Sequence, residues 1–144
     1  MSTRQDEVLA ANKAYYDAFE ALDYTKMAAI WSESAPLSCV HPAWELIEGR
    51  AEVLASWRRI FGATSAIRFA LHEVHCFVAG DTAWVVLVEQ IETRHGDERV
   101  TANAQATNLF IREPSGWRLV HHHSAPLRMP VEPAQEKPEK TMLN

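Results

Sequence analysis

The spacing of hydrophobic residues changes period once along this chain. Up to about residue 61 they recur every three or four positions, and from Ala66 onward they alternate. Val8, Ala11, Tyr15, Phe19 and Leu22 form one apolar stripe and predict a first helix, with Tyr16 and Tyr24 left on the surface. Met27, Ile30 and Trp31 predict a second, shorter helix capped near Asp23 or Thr25. Leu37 to Val40 reads as a short strand ending at His41-Pro42, because Pro42 disfavours helix at His41, and Pro42 to Gly49 reads as a loop. A third helix runs from about Arg50 to Phe61, with Val53, Trp57, Ile60 and Phe61 on one face and Gly62 as its stop.

Four long strands follow. Ile67 to Val74 begins the first, and Gly80-Asp81 turns into Ala83 to Glu92. Gly96-Asp97 is a two-residue hairpin signal before Val100 to Arg112, and Glu113-Pro114-Ser115-Gly116 turns into Trp117 to Ser124. Helices first and a meander afterwards predict an α+β fold, with a curved antiparallel sheet wrapped around three N-terminal helices. Pairing His95 with Glu98 sets Glu89 near Ala104 and Val85 near Asn108. One face then carries Ala83, Val85, Leu87, Glu89, Ala104, Ala106, Asn108 and Phe110, a mixture that suits a pocket lining. The last hairpin allows two registers. A two- or four-residue loop brings His121 to Asn108 and His123 to Ala106, whereas a three-residue loop with a bulge at Gly116 brings His122 to Asn108. The first is preferred, because Trp117 and Leu119 then extend the apolar face.

Composition narrows the picture. The chain has 144 residues, enough for one domain with a real core, and its formal net charge of −5 favours neither nucleic acid nor an anionic membrane. The apolar runs are too short to cross a bilayer, and no secretory signal is visible. Cys39 and Cys76, both in apolar strand-like contexts, read as free thiols of a cytoplasmic protein. Residues 1–127 form the expected domain, and the Pro/Glu/Lys-rich stretch 128–144 a C-terminal tail.

Several segments carry a resemblance: His41-Pro42 followed by Gly49, Ser56-Trp57, Thr107 to Phe110, and Gly116 to Ser124 with its triple histidine. Together with the element order, they are similar to SnoaL-like proteins of the nuclear-transport-factor-2-like superfamily. Ketosteroid isomerase and limonene epoxide hydrolase are distant relatives there. The ending also resembles the calcium/calmodulin-dependent kinase association domain. The resemblance covers roughly residues 5 to 127. It implies a cone with an internal pocket and a homodimer through the outer sheet face. It does not carry over an activity: the isomerase needs two carboxylic acids with a tyrosine, the hydrolase an Asp-Arg-Asp set, and neither falls on the predicted inner face.

The expected function is binding of a small, largely apolar organic ligand, with cofactor-free isomerase, hydratase or cyclase chemistry. The alternatives are a non-catalytic binding or oligomerisation module and a metal-binding protein. Glu89 among aliphatic residues is a candidate general base or acid, or else a partner of Arg94 or Arg99. His121 and His123 are its candidate catalytic partners. Tyr15, His41, Trp44, Trp57 and Asn108 are candidate ligand contacts. Asn108 could instead satisfy the neighbouring imidazole, and Trp57 could fill core volume. A metal would need His121 and His123 joined by His41 and Glu89, because zinc takes three or four ligands. No metal or other cofactor is expected.

Overall fold

In the computed structural model, which describes residues 2–128, α1 (Arg4–Ala21), α2 (Tyr24–Ile30) and α3 (Arg50–Ala63) cover one face of a six-stranded sheet. The expected tail lies outside the described residues, save for Arg128. A capping box starts α1: the Asp6 amide donates to the Thr3 hydroxyl, and the Asp6 carboxylate accepts from the Thr3 amide. Asp23 caps α2. The far end of α2 is held by Arg50, whose guanidinium donates to the carbonyls of Ala28, Trp31 and Ser32.

The strands are β1 (Ser38–Val40), β2 (Ile47–Glu48), β3 (Ala66–Ala79), β4 (Thr82–His95), β5 (Glu98–Glu113) and β6 (Gly116–Pro126), in the order β2-β1-β6-β5-β4-β3. The meander β3 to β6 is antiparallel, as the alternation predicts. The sheet as a whole is mixed, because β1 joins β6 in parallel and β2 folds back onto β1. The segment expected to be loop between Pro42 and Gly49 therefore contributes the short strand β2. Two bulges bend the sheet. One lies in β3 between His72 and His75, with Glu73 at φ 51°; the other lies in β6, opposite Leu109 and Phe110.

The sheet's inner face has two halves. Ala83, Val85 and Leu87 of β4 and Phe110 of β5 are fully buried under Val8, Tyr15 and Met27 of the helices. Beyond Glu89 the inner face is no longer packed solid: Ile91, Thr93 and Ala102 line a cavity that Ile60 of α3 and Thr64 bound on the other side. α1 also runs along β3, the outermost long strand. The Gln5 amide donates to the Cys76 carbonyl, and the Phe69 amide donates to the Glu20 carboxylate.

Candidate active site in the cone

The β4–β5 register is the expected one, with Glu89 opposite Ala104 and Val85 opposite Asn108. The last hairpin differs from the preferred reading. Its loop is the two-residue Pro114-Ser115, with Glu113 opposite Gly116 and Trp117 and Leu119 buried on the inner side. One residue later the bulge intervenes: Phe110 pairs Leu119, but Leu109 pairs His121, so Val120 is the extra residue. From there every side chain changes face. His122 and Ser124 turn inward, opposite Asn108 and Ala106, while His121 is half-buried and His123 exposed on the outer side. The expected placement of His121 and His123 in the pocket is thus corrected. Only the bulge is responsible, and it sits inside the strand rather than in the turn.

Glu89 and His122, 2% and 1% exposed, join one buried hydrogen-bond network. The Tyr16 hydroxyl donates to Glu89 Oε2 at 2.6 Å and the Ser124 hydroxyl to Oε1 at 2.8 Å. Asn108 Nδ2 donates to Asn12 Oδ1 at 2.8 Å and to the Tyr16 oxygen at 3.2 Å. Asn108 Oδ1 accepts from His122 Nδ1. His122 is therefore the Nδ1–H tautomer, and its Nε2 lone pair is left for the cavity. Burial holds the His122 pKa well below the ordinary imidazole value, with smaller contributions from His41, His121 and His123. Burial raises the Glu89 pKa, opposed by the bonds from Tyr16 and Ser124.

His41 forms a second fixed imidazole. The one hydroxyl proton of Ser56 goes to the Val53 carbonyl at 2.6 Å, so at 2.9 Å its oxygen accepts from His41 Nε2–H. That leaves Nδ1 as the acceptor atom of His41. Burial, with Arg59 nearby, lowers this histidine's pKa to about 4. The rings of His41 and His122 stand 6.2 Å apart. Cys39 lies against His41, with its sulfur 3.6 Å from Nε2, and burial pushes its thiol up to about 12, which makes it a poor nucleophile at neutral pH.

Of these groups Glu89, His41 and His122 face a cavity of about 390 Å³ whose other walls include Phe19, Ile60, Ile67, Phe69 and Ile91. Of the expected contacts, His41 and Trp44 line it, as does Glu89. Tyr15, Trp57 and Asn108 stand one layer behind. Tyr15 packs at 5.1 Å on the His122 ring, Trp57 at 4.8 Å on His41, and the polar atoms of Asn108 are all engaged with protein. Tyr16, expected on the surface, is buried and bonded to Glu89, because α1 lies in the trough of the curved sheet and buries more than one stripe. Asn12, Tyr16, Ser56 and Ser124 were not singled out for the site. The signal available was the polar pair Asn12 and Tyr16, four residues apart on one helix face. The ligand set considered for a metal is divided by the sheet, with His121 and His123 outside and His41 and Glu89 inside. Among the described residues, no three His, Cys, Asp or Glu side chains are gathered as a metal site.

The curved sheet, helical cover and polar-floored cavity define a nuclear-transport-factor-2-like cone. The SnoaL-like domain model matches residues 8–129, and the chain belongs to that family. It is similar to an NTF2-like family protein from Streptomyces avermitilis described as a candidate dehydratase, with 37% identity, a TM-score of 0.82, and 87% of this chain and 96% of that one covered. A candidate calcium/calmodulin-dependent protein kinase type II association domain from Thiobacillus denitrificans is 36% identical, with a TM-score of 0.70 and coverage of 83% and 94%. The curated relative F-box protein SKIP8 from Arabidopsis thaliana is 27% identical over 118 residues, 82% of this chain. The chain spans about half that protein's length, 48%.

Proposed function

We propose that the cavity binds a small, largely apolar organic molecule and moves a proton on it without a cofactor, as an isomerase, hydratase or dehydratase does. The observation that carries this reading is His122, a buried imidazole fixed as one tautomer with its free lone pair at the floor of an apolar cavity. Neutral at pH 7, it is a base that needs no prior deprotonation. The Asn108 carbonyl keeps the ring oriented, and its Nδ1–H bond strengthens if Nε2 gains a proton. Glu89, gripped by two hydroxyls, is the second acid/base group, and the aliphatic and aromatic walls hold the apolar body and exclude water. The similarity to a candidate dehydratase supports the same class of chemistry.

The test begins with a thermal-shift screen of hydroxylated one- and two-ring compounds. Stabilising compounds are then incubated with the protein in ²H₂O and analysed by mass spectrometry for carbon-bound deuterium or loss of water. Exchange or dehydration that disappears in His122→Gln and falls in Glu89→Gln is the expected result. Binding without either would refute catalysis and leave a binding module.

A second reading, assembly, is favoured by the similarity to kinase association domains and by the outer sheet face. Phe77 and Trp84 stack there at 5.5 Å, next to the half-buried Val86 and Leu109. A homodimer through this face is the expected state, and a monomer in light scattering would remove it. Among the described residues no helix is long and apolar enough to cross a membrane. The free thiols of Cys39 and Cys76 support a reducing, cytoplasmic setting.

A further inference from the structure

The cavity's polar atoms are unequal in kind. The Thr64 hydroxyl donates to the Ile60 carbonyl at 2.6 Å, and the Thr93 hydroxyl to the Val100 carbonyl at 3.5 Å. His95 Nδ1–H donates to the Ala63 carbonyl at 3.2 Å. His41 and His122 have each committed their single N–H, to Ser56 and Asn108. Tyr16 and Ser124, behind the wall, point their protons at Glu89. The acceptors that remain on the inner wall are His122 Nε2 and the free lone pairs of Glu89; His41 Nδ1 has the Cys39 thiol 3.8 Å away, and the unpartnered Tyr15 hydroxyl and Trp57 indole N–H lie one layer behind. The indole N–H of Trp44 is a free donor, but Trp44 is 37% exposed and sits at the mouth.

The geometry points to a ligand that enters with a neutral hydrogen-bond donor first, an O–H or N–H on a one- or two-ring body, seated against His122 Nε2. This rests on the proposed function, whose substrate class it narrows. A ketone or ether oxygen at the same place would meet lone pairs and leave the buried acceptors unpaired, which is how a polar site rejects an analogue lacking the right group. A carboxylate would also set its own charge against the oxygens of Glu89. The volume suits the size: at about 30 Å³ for each water-sized group, the cavity holds about a dozen.

Three matched probes test this: 2-naphthol, 2-methoxynaphthalene and 2-acetylnaphthalene, titrated calorimetrically into the full chain. 2-Naphthol should bind at least about tenfold more tightly than either of the others. In His122→Leu, naphthol and ether should come within about twofold of each other. Equal affinities in the wild-type protein would overturn the donor rule while leaving the apolar cavity intact. Preference for the acetyl compound would overturn it too. Failure of all three to bind would overturn both this inference and the proposed function. Should His122→Leu not fold, the ranking in the wild-type protein decides alone.

Discussion

On β6, His122 and its neighbours His121 and His123 share one side chain and one short stretch of backbone, yet occupy different worlds. His122 is sealed among Tyr15, Trp57 and Asn108, whereas His123 meets solvent and His121 bonds the Ser38 hydroxyl at the sheet's outer margin. Nothing in the three residues themselves makes this difference. It follows from the one extra residue, Val120, which reverses the strand's parity before the triplet begins. Chemistry in this fold is thus assigned by register, and a side chain's neighbours across the sheet say more than its neighbours along the chain.

The largest break in that contrast should come from the inner partner. Asn108→Leu leaves His122 and Asn12 without partners, strips Tyr16 of one of its two bonds, and should cost about 3–5 kcal/mol in urea unfolding. Thr107→Val, one residue away on the outer side opposite His123, should stay within about 0.5 kcal/mol. Equal effects of the two would remove the inner network's claim to stability.

Acid should separate the faces next. Above pH 6.5 His41 is neutral in folded and unfolded chains alike. Between 6.5 and about 4 the unfolded chain takes up a proton that the folded one refuses, so stability falls. The drop attributable to His41 is about 3 kcal/mol, and burial of His122 acts in the same direction. Equilibrium unfolding of wild type and His41→Gln across this range should show a shallower slope in the variant.

Glu89 should tilt the other way. Its folded pKa is raised, so its ionisation weakens the fold as pH rises through the range above 4.5. At low pH Glu89→Gln should cost about 1 kcal/mol, since the amide NH₂ displaces one hydroxyl donor. That deficit should shrink as pH rises, and a constant difference would contradict the raised pKa. The finest test costs no stability at all. In ¹⁵N spectra at neutral pH, His122 should carry its proton on Nδ1 and His41 on Nε2, opposite tautomers within one cavity.

Much of this architecture was legible in the pattern of residues. The switch in period separated helices from sheet, and the Gly96-Asp97 turn fixed the β4–β5 register and so placed Glu89 and Asn108 on one inner face. The β6 bulge was not legible, because Gly116 offered an obvious site for an irregularity while Val120 carries no such mark. Tyr16 escaped for a different reason. A single apolar stripe describes a helix on a flat surface, and this helix lies in a trough, where a second face carrying Asn12 and Tyr16 is buried as well. Strand β2 is two residues long, too short for alternation to show.

The contacts of α1 with β3 have a consequence of their own. β3 is the last strand on its side, and a long strand with unpaired amides and carbonyls invites strands from other molecules to add on. The Glu20 carboxylate occupies the Phe69 amide, Gln5 occupies the Cys76 carbonyl, and the kink at Glu73 interrupts the line between them. The helix that roofs the cavity therefore also guards the rim of the sheet, and loosening α1 would expose a seam open to aggregation.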